Sequence, residues 1–264
     1  MALRDWSTTN FLRYAAGVVT AVPVTLSAWG KTSITGGAGQ VLVCLQTSGS
    51  ANNRNRFALA VQPTTDTIGA RTSSGSAQSV AVTSTTIGAD TWFHACGVFA
   101  SATSRAAYLN GGGKGTETTS RVPSGIDRTS VGVGDGSSAA EPFAPAGTGD
   151  IAEVGIWDVA LTDAEVLVLS RGVSPLFVRP AALIAYFPIM GRTSPEINYL
   201  DRTAVLSVQG TLTAAAHVPI KMPRSPKFGQ VASAVVAAGQ PTWKRAGGVA
   251  FMGGSRISQG ARVW

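Results

Sequence analysis

Between residue 13 and about residue 160, apolar residues alternate with polar ones over short stretches that glycine, serine, asparagine and aspartate separate. In one such stretch Phe57, Leu59 and Val61 would share a face. A period of two is typical of strands with one face on a core. The pattern predicts ten strands, at residues 24–30, 39–47, 56–62, 67–73, 79–85, 92–100, 105–110, 114–121, 129–135 and 150–158.

Two local sequence signals, one for a tight turn and one for a helix, lie within or directly after this pattern. Asn110-Gly111 supplies the positive-φ residues that a tight hairpin needs. Residues 162–171 are predicted to form a helix, with Thr162 as N-cap, Glu165 completing a capping box and Gly172 ending the helix. Acidic residues in the first helical turn complement the helix dipole, which indicates a structural role for Asp163 and Glu165.

The composition supports an all-β fold. Charged residues make up 13% of the chain, against about 25% in typical soluble domains, which fits a Ser/Thr/Ala-rich β protein and also a protein that hides much of its surface in an assembly. The 31 glycines and 13 prolines imply many turns. Many short strands with a single helix predict a β-sandwich or jelly roll. Because no run of about 18 apolar residues occurs, no membrane-spanning segment is expected, and the N-terminus lacks the apolar core of a secretory signal.

The charge is unevenly distributed along the chain. Residues 1–217 hold equal numbers of basic and acidic residues, whereas residues 218–264 hold seven Lys or Arg and no acid. We therefore predict a sandwich domain at 1–217 and a basic, glycine-rich C-terminal arm at 218–264. Its cations and tryptophans belong to types enriched at interfaces. The candidate partner-binding residues are Lys221, Arg224, Lys227, Trp243, Lys244, Arg245, Arg256, Arg262 and Trp264.

An alternative interpretation of the arm is a disordered basic tail that binds weakly to any acidic partner. Nucleic acid is not favoured as that partner, because seven charges are spread over the arm without a stacking platform.

Three acids, Asp150, Glu153 and Asp158, follow one another along a predicted strand. A glycosidase needs two carboxylates that flank one bond. Because side chains alternate between faces, spacings of three and five place these neighbours on opposite faces, and eight residues of strand separate Asp150 from Asp158 by more than about 20 Å. We therefore predict no catalytic residues.

Three segments, taken in order, resemble the laminin-G-like branch of the concanavalin-A-like lectin/glucanase superfamily. They are VTLSAWGK at 24–31, TWFHACGVFASATSRAAYLNG at 91–111 and GDIAEVGIWDVALTDAEVLVLSRG at 149–172. The resemblance implies a concanavalin-A-like β-sandwich (jelly roll) with one short helix. The glucanase branch implies an E-x-D-x-E strand, which this chain lacks, so that activity is not carried over.

Residues 174–200 are similar to the C-terminal part of laminin-G-like proteins encoded by tailed phages and prophages, which implies a closing strand from Ala181 to Ile189. The resulting hypothesis is a non-enzymatic virion structural protein that decorates a phage capsid or tail. Its partners would be capsid or tail subunits, further copies of itself and cell-surface glycans. A free carbohydrate-binding lectin is the alternative, and a glycoside hydrolase is the least favoured.

Some residues allow two interpretations. Trp29, Trp92 and Trp157 are predicted to pack in the core or at its rim, and the alternative is a platform on which sugar rings stack. His94 and His217 are interpreted as buried, hydrogen-bonded histidines rather than catalytic bases.

No cofactor and no zinc site are expected, because Cys44 and Cys96 lie apart within apolar runs and are interpreted as reduced core residues. Calcium is the common ion of the resembled family. Asp135 and Asp150 are the candidate ligands for it, although neither lies in an acid-rich loop.

Overall fold

Two antiparallel β-sheets face each other across one apolar core. The structure, a computed structural model, describes residues 2–48, 55–135, 140–144 and 148–221. The strands are β1 (Ala2–Arg4), β2 (Phe11–Tyr14), β3 (Val24–Thr32), β4 (Gln40–Gln46), β5 (Arg56–Val61), β6 (Thr67–Ser74), β7 (Ala77–Thr86), β8 (Phe93–Ser101), β9 (Ser104–Leu109), β10 (Gly112–Glu117), β11 (Arg128–Val131), β12 (Val133–Asp135), β13 (Ala140–Pro142), β14 (Gly149–Trp157), β15 (Leu183–Phe187), β16 (Glu196–Ile197), β17 (Val205–Gln209) and β18 (Thr213–Ala215).

Sheet A has the strand order β10-β9-β8-β3-β14-β1-β18, and β15 also pairs with β14. Sheet B has the order β16-β17-β2-β11-β4-β5-β6-β7. A small separate ribbon pairs β12 with β13. The inner faces of the two sheets supply the core, where side chains such as Leu26, Leu59 and Phe99 are almost fully buried. Burying each such side chain contributes about 1.5–3 kcal/mol.

The predicted helix is confirmed as α1 (Asp163–Ser170). The Glu165 amide donates to Thr162 Oγ1, and the Thr162 amide donates to Glu165 Oε2 at 2.8 Å, so the capping box is complete. Gly172 follows the helix with a φ of +81° and donates its amide to the Leu169 carbonyl oxygen. The helix therefore begins and ends where its local sequence signals place it.

The helix packs on the outer face of sheet A and closes a second apolar cluster there. Val166 and Leu169 of the helix cover Trp157, which is fully buried and donates its indole N–H to the Val178 carbonyl oxygen at 2.9 Å. Trp157 is thus a core residue. The sugar-platform alternative does not apply to it.

Most predicted strands are confirmed to within a few residues, and the Asn110-Gly111 hairpin is confirmed by positive φ at both residues. The predicted strand 129–135 is wrong as a single element, because Gly132, at φ +80°, ends β11 and lets β12 leave sheet B. The predicted closing strand corresponds to β15, on sheet A. The short strands β1, β2, β13 and β16–β18 were not predicted.

The concanavalin-A-like sandwich with one short α-helix is confirmed for the described part of the chain. Packing continues beyond the predicted domain boundary at residue 218. Val218 is buried against sheet A, and the Lys221 amide donates to the Gly172 carbonyl oxygen at 2.6 Å. The rest of the predicted arm, residues 222–264, lies outside the described residues.

Candidate functional site

Two half-buried tryptophans lie on the outer face of sheet A. Trp29 is in β3 opposite His94, and Trp92 directly precedes β8. The rings of Trp29 and His94 pack edge to face, with their centroids 5.4 Å apart. Lys31 Nζ lies 5.8 Å from the centroid of the Trp92 ring. Both indoles pack against the same small apolar cluster. We call Trp29, Trp92, Lys31, Asp150 and Arg4 together the Trp29–Trp92 surface.

The charged groups of this surface are held in place by one another. Asp150 is fully buried, and its carboxylate accepts from Arg4 Nε at 2.8 Å, from Arg4 Nη2 at 3.0 Å and from Lys31 Nζ at 2.8 Å. A carboxylate whose two oxygens are already neutralised by two cations is a poor calcium ligand. For the other calcium candidate, Asp135, the structure describes the backbone at the end of β12 but not the side chain.

A β-bulge interrupts β14 next to this surface. Ala152 pairs with Trp29, and Gly155 pairs with Ser27. The chain therefore advances by three residues in β14 where it advances by two residues in β3. Glu153 occupies the bulge with a φ of +55°. As a result, Ile151 and Val154 both reach the central core although they are three residues apart.

The expectation that Asp150 and Glu153 point to opposite faces is therefore wrong, because the extra residue in the bulge breaks the alternation. Glu153 accepts a hydrogen bond from Tyr186 Oη at 2.7 Å, and Tyr186 belongs to the apolar cluster on the outer face of sheet A. Neither carboxylate faces an open cleft, since Asp150 is ion-paired and Glu153 is buried against Tyr186.

Glu153 also contacts His217, an ion pair that sequence reasoning missed. Nε2 of His217 lies 3.3 Å from Glu153 Oε1 and 3.2 Å from the Pro188 carbonyl oxygen, and Nδ1 lies 2.7 Å from the Val218 carbonyl oxygen. All three partners are acceptors, so both ring nitrogens can donate to them only when the ring is protonated. Burial alone lowers the pKa of His217, but these hydrogen bonds outweigh it and raise the pKa above its ordinary value.

His94 has the opposite environment. It is 1% exposed, its Nε2 lies 2.9 Å from Ser27 Oγ, and burial lowers its pKa to about 3. The interpretation as a buried, hydrogen-bonded histidine is confirmed for this residue. Cys44 and Cys96 are confirmed as free, buried cysteines.

Of the nine predicted partner-binding residues, only Lys221 is described. Its side chain is exposed, and its backbone forms a parallel bridge to Val173. The other eight lie outside the described residues, so the structure does not bring this predicted set together.

The described residues contain no group of three or more His, Cys, Asp or Glu side chains arranged to hold a metal ion. No helix within the same ranges is both long and apolar enough to cross a membrane.

Sequence comparison agrees with this architecture. Residues 7–167, more than half of the chain, match the laminin G family model described as the concanavalin A-like lectin/glucanases superfamily. The chain belongs to this superfamily. No curated protein shows significant sequence similarity to the chain.

Solved structures that share the superfamily fold are distant in sequence. A Bacteroides ovatus protein, provisionally described as carbohydrate binding, aligns with a TM-score of 0.53 at 16% identity over 83% of this chain and 61% of that one. A heptameric SAP-like pentraxin from Limulus polyphemus aligns at 19% identity over 64% of this chain and 82% of that one, with a TM-score of 0.49. Domain 4 of an arabinanase from Geobacillus stearothermophilus, in complex with arabinotriose, aligns at 19% identity over 62% of this chain and 74% of that one, with a TM-score of 0.49.

Proposed function

We propose that the sandwich is a non-catalytic carbohydrate-binding module whose ligand stacks on the Trp29–Trp92 surface. The observation that supports this proposal is the pair of half-buried indoles beside two positively charged donors, Arg4 and Lys31, which Asp150 already holds in position. Indole rings offer a large, rigid apolar face, and a few preorganised polar groups give a binding site its orientation and specificity.

The ion pairs of the surface suit it to this role. Asp150 holds the Arg4 guanidinium and the Lys31 ammonium beside the indoles, and both cations remain partly exposed. Because they do not need to be ordered on binding, a sugar hydroxyl that accepts from them costs less conformational entropy. Membership of a lectin-containing superfamily supports the same proposal.

The non-catalytic part of the proposal rests on the state of the two carboxylates. A glycosidase requires one carboxyl that donates a proton and a second that reaches the sugar or a water. Asp150 is held by two cations, and Glu153 accepts from Tyr186 and His217. Neither is free to exchange a proton with a ligand on the surface.

The test is glycan-array screening of the full chain, followed by calorimetry with the best ligand. We expect Trp92→Ala to weaken binding by about tenfold or more, which corresponds to about 1.4 kcal/mol or more. Phe177→Ala is the matched control, because Phe177 is an aromatic residue 50% exposed outside this surface. Equal binding by the two variants would exclude the Trp29–Trp92 surface as the site.

A virion structural role, as capsid decoration or tail protein, is the second candidate. The acid-free, basic sequence of residues 222–264 favours it, because such a segment suits an acidic neighbouring subunit. Since packing extends to Lys221, the appropriate truncation removes residues 222–264 only. The truncated protein should fold but be missing from purified particles, and full occupancy in those particles would exclude the arm as an assembly element.

A further inference from the structure

A crevice of about 320 Å³ opens between the two sheets at the edge where β1 and β17 lie. Leu3 of β1, Val208 of β17 and Leu212, which follows β17, line it, and all three pack in or against the central core. Sites for small molecules typically span roughly 300–1,000 Å³, so this volume suits a small ligand. We call Leu3, Glu196, Val208 and Leu212 together the Leu3–Glu196 crevice.

Glu196 places a carboxylate on the inner wall of this crevice. It pairs with Leu206 across β16 and β17, and directly opposite residues of an antiparallel pair project to the same face. Leu206 is fully buried in the central core, and Val208, two residues further along β17, shares its face. The Glu196 side chain therefore points between the sheets, and the residue is 4% exposed.

Two backbone amides hold this carboxylate in position. Its Oε1 accepts from the Gly191 amide at 2.7 Å, and its Oε2 accepts from the Met190 amide at 3.2 Å. Burial raises the pKa of Glu196, and the two amides and the charge of the chain's amino group offset this only in part. An ionised carboxylate has about four acceptor positions, so a ligand hydroxyl can still donate to either oxygen.

The mouth of the crevice is polar. Arg192, Thr193, Ser194 and Thr211 line it with exposed side chains. All four can donate hydrogen bonds, and the three hydroxyl groups can also accept them. Among the lining side chains Arg192 balances the charge of Glu196, which favours a neutral ligand over a cation or an anion.

We propose that the Leu3–Glu196 crevice binds one neutral sugar ring, with a ring hydroxyl donating to the Glu196 carboxylate. The C–H groups of the ring would pack on Leu3, Val208 and Leu212, and its outer hydroxyls would meet the polar mouth. A hydrogen bond to an ionised acceptor is stronger than one between neutral groups, and this acceptor is already fixed by the protein. A sugar ring supplies the combination of apolar surface and hydroxyl groups that the lining requires.

The test is a titration of the ¹⁵N-labelled full chain with D-glucose, D-galactose and D-mannose, followed by the assigned backbone amide resonances of Met190 and Gly191. At least one of these sugars should shift both resonances to saturation. Glu196→Gln should weaken that binding about tenfold, because it removes the charged acceptor. Glu117→Gln is the matched control, since the Glu117 carboxylate also accepts from two backbone amides but lies outside the crevice.

A second pair of variants keeps the test decisive if Glu196→Gln does not fold. Leu212→Ala should weaken the same binding several-fold by removing apolar wall, whereas Leu200→Ala, at an exposed leucine outside the crevice, should not. No saturable shift with any of the three sugars would overturn the proposal, as would equal binding within either pair of variants. Tighter binding of ethylammonium chloride at matched ionic strength would overturn the assignment to a neutral ligand.

This site does not rest on the function proposed for the Trp29–Trp92 surface. Leu3 faces the central core, whereas its neighbour Arg4 belongs to that surface, so the two sites lie on opposite faces of β1. The sugar-induced shift of the Gly191 amide should persist in Trp92→Ala. Loss of this shift in that variant would show that the sugar acts from the other surface and would overturn the crevice as a separate site.

Discussion

His94 should make the sandwich sensitive to mild acid. Burial lowers the pKa of His94 to about 3, whereas an unfolded histidine titrates near about 6.5. Between these values only the unfolded chain binds the proton. The stability associated with neutral His94 is therefore complete above about pH 6.5 and is lost progressively as the pH falls toward the folded-state pKa.

The size of the effect follows from the same two pKa values. Each pH unit below the unfolded pKa costs about 1.4 kcal/mol until the folded ring itself titrates. At about pH 5 the loss should be about 2 kcal/mol, a large part of the roughly 5–15 kcal/mol that stabilises a typical domain. Carboxylates with lowered pKa, such as Glu117 at about 2, remain ionised over this interval.

Urea unfolding at about pH 7 and about pH 5 measures this loss as a difference between two free energies of unfolding. His94→Gln removes the titrating ring while keeping a side-chain amide for Ser27 Oγ. The variant should lose about 2 kcal/mol less than the wild type between the two pH values, whatever its stability at pH 7. An equal loss in both proteins would show that His94 is not the responsible group. His217→Gln removes the only other histidine and should not reduce the loss, because the pKa of His217 is shifted in the opposite direction.

Two further predictions concern single side chains. The pKa of His217 is shifted upward, in the opposite direction to that of His94. The contribution of His217 to stability is therefore complete below about pH 6.5 and is lost as the pH rises through the raised pKa. His217→Gln should flatten that part of the pH profile of the free energy of unfolding in urea. Thr162→Ala should lower the free energy of unfolding by about 0.5–2 kcal/mol through loss of the helix cap, with Thr162→Ser close to wild type and ligand binding unchanged. A binding defect without a loss of stability in Thr162→Ala would contradict the structural role of the helix.

The sequence by itself determined those features whose causes are local. The alternation of apolar and polar residues predicted strands such as β5, because successive side chains of a strand point to opposite faces of the sheet. The capping box of Thr162 with Glu165 and the Asn110-Gly111 turn depend on residues within a few positions of one another. The family motifs added the fold class, since their order along the chain reflects the order of the strands.

Only the tertiary structure decided which chemistry-bearing residues meet. Glu153 lies in a bulge at a positive φ that its residue type does not predict. Because of that single extra residue, the prediction that Asp150 and Glu153 point to opposite faces of the strand was wrong. Glu153 meets His217, and Glu141 meets Arg71, across long stretches of chain. Such contacts depend on strand order and register, which are set by the packing of whole sheets and not by the residues on either side.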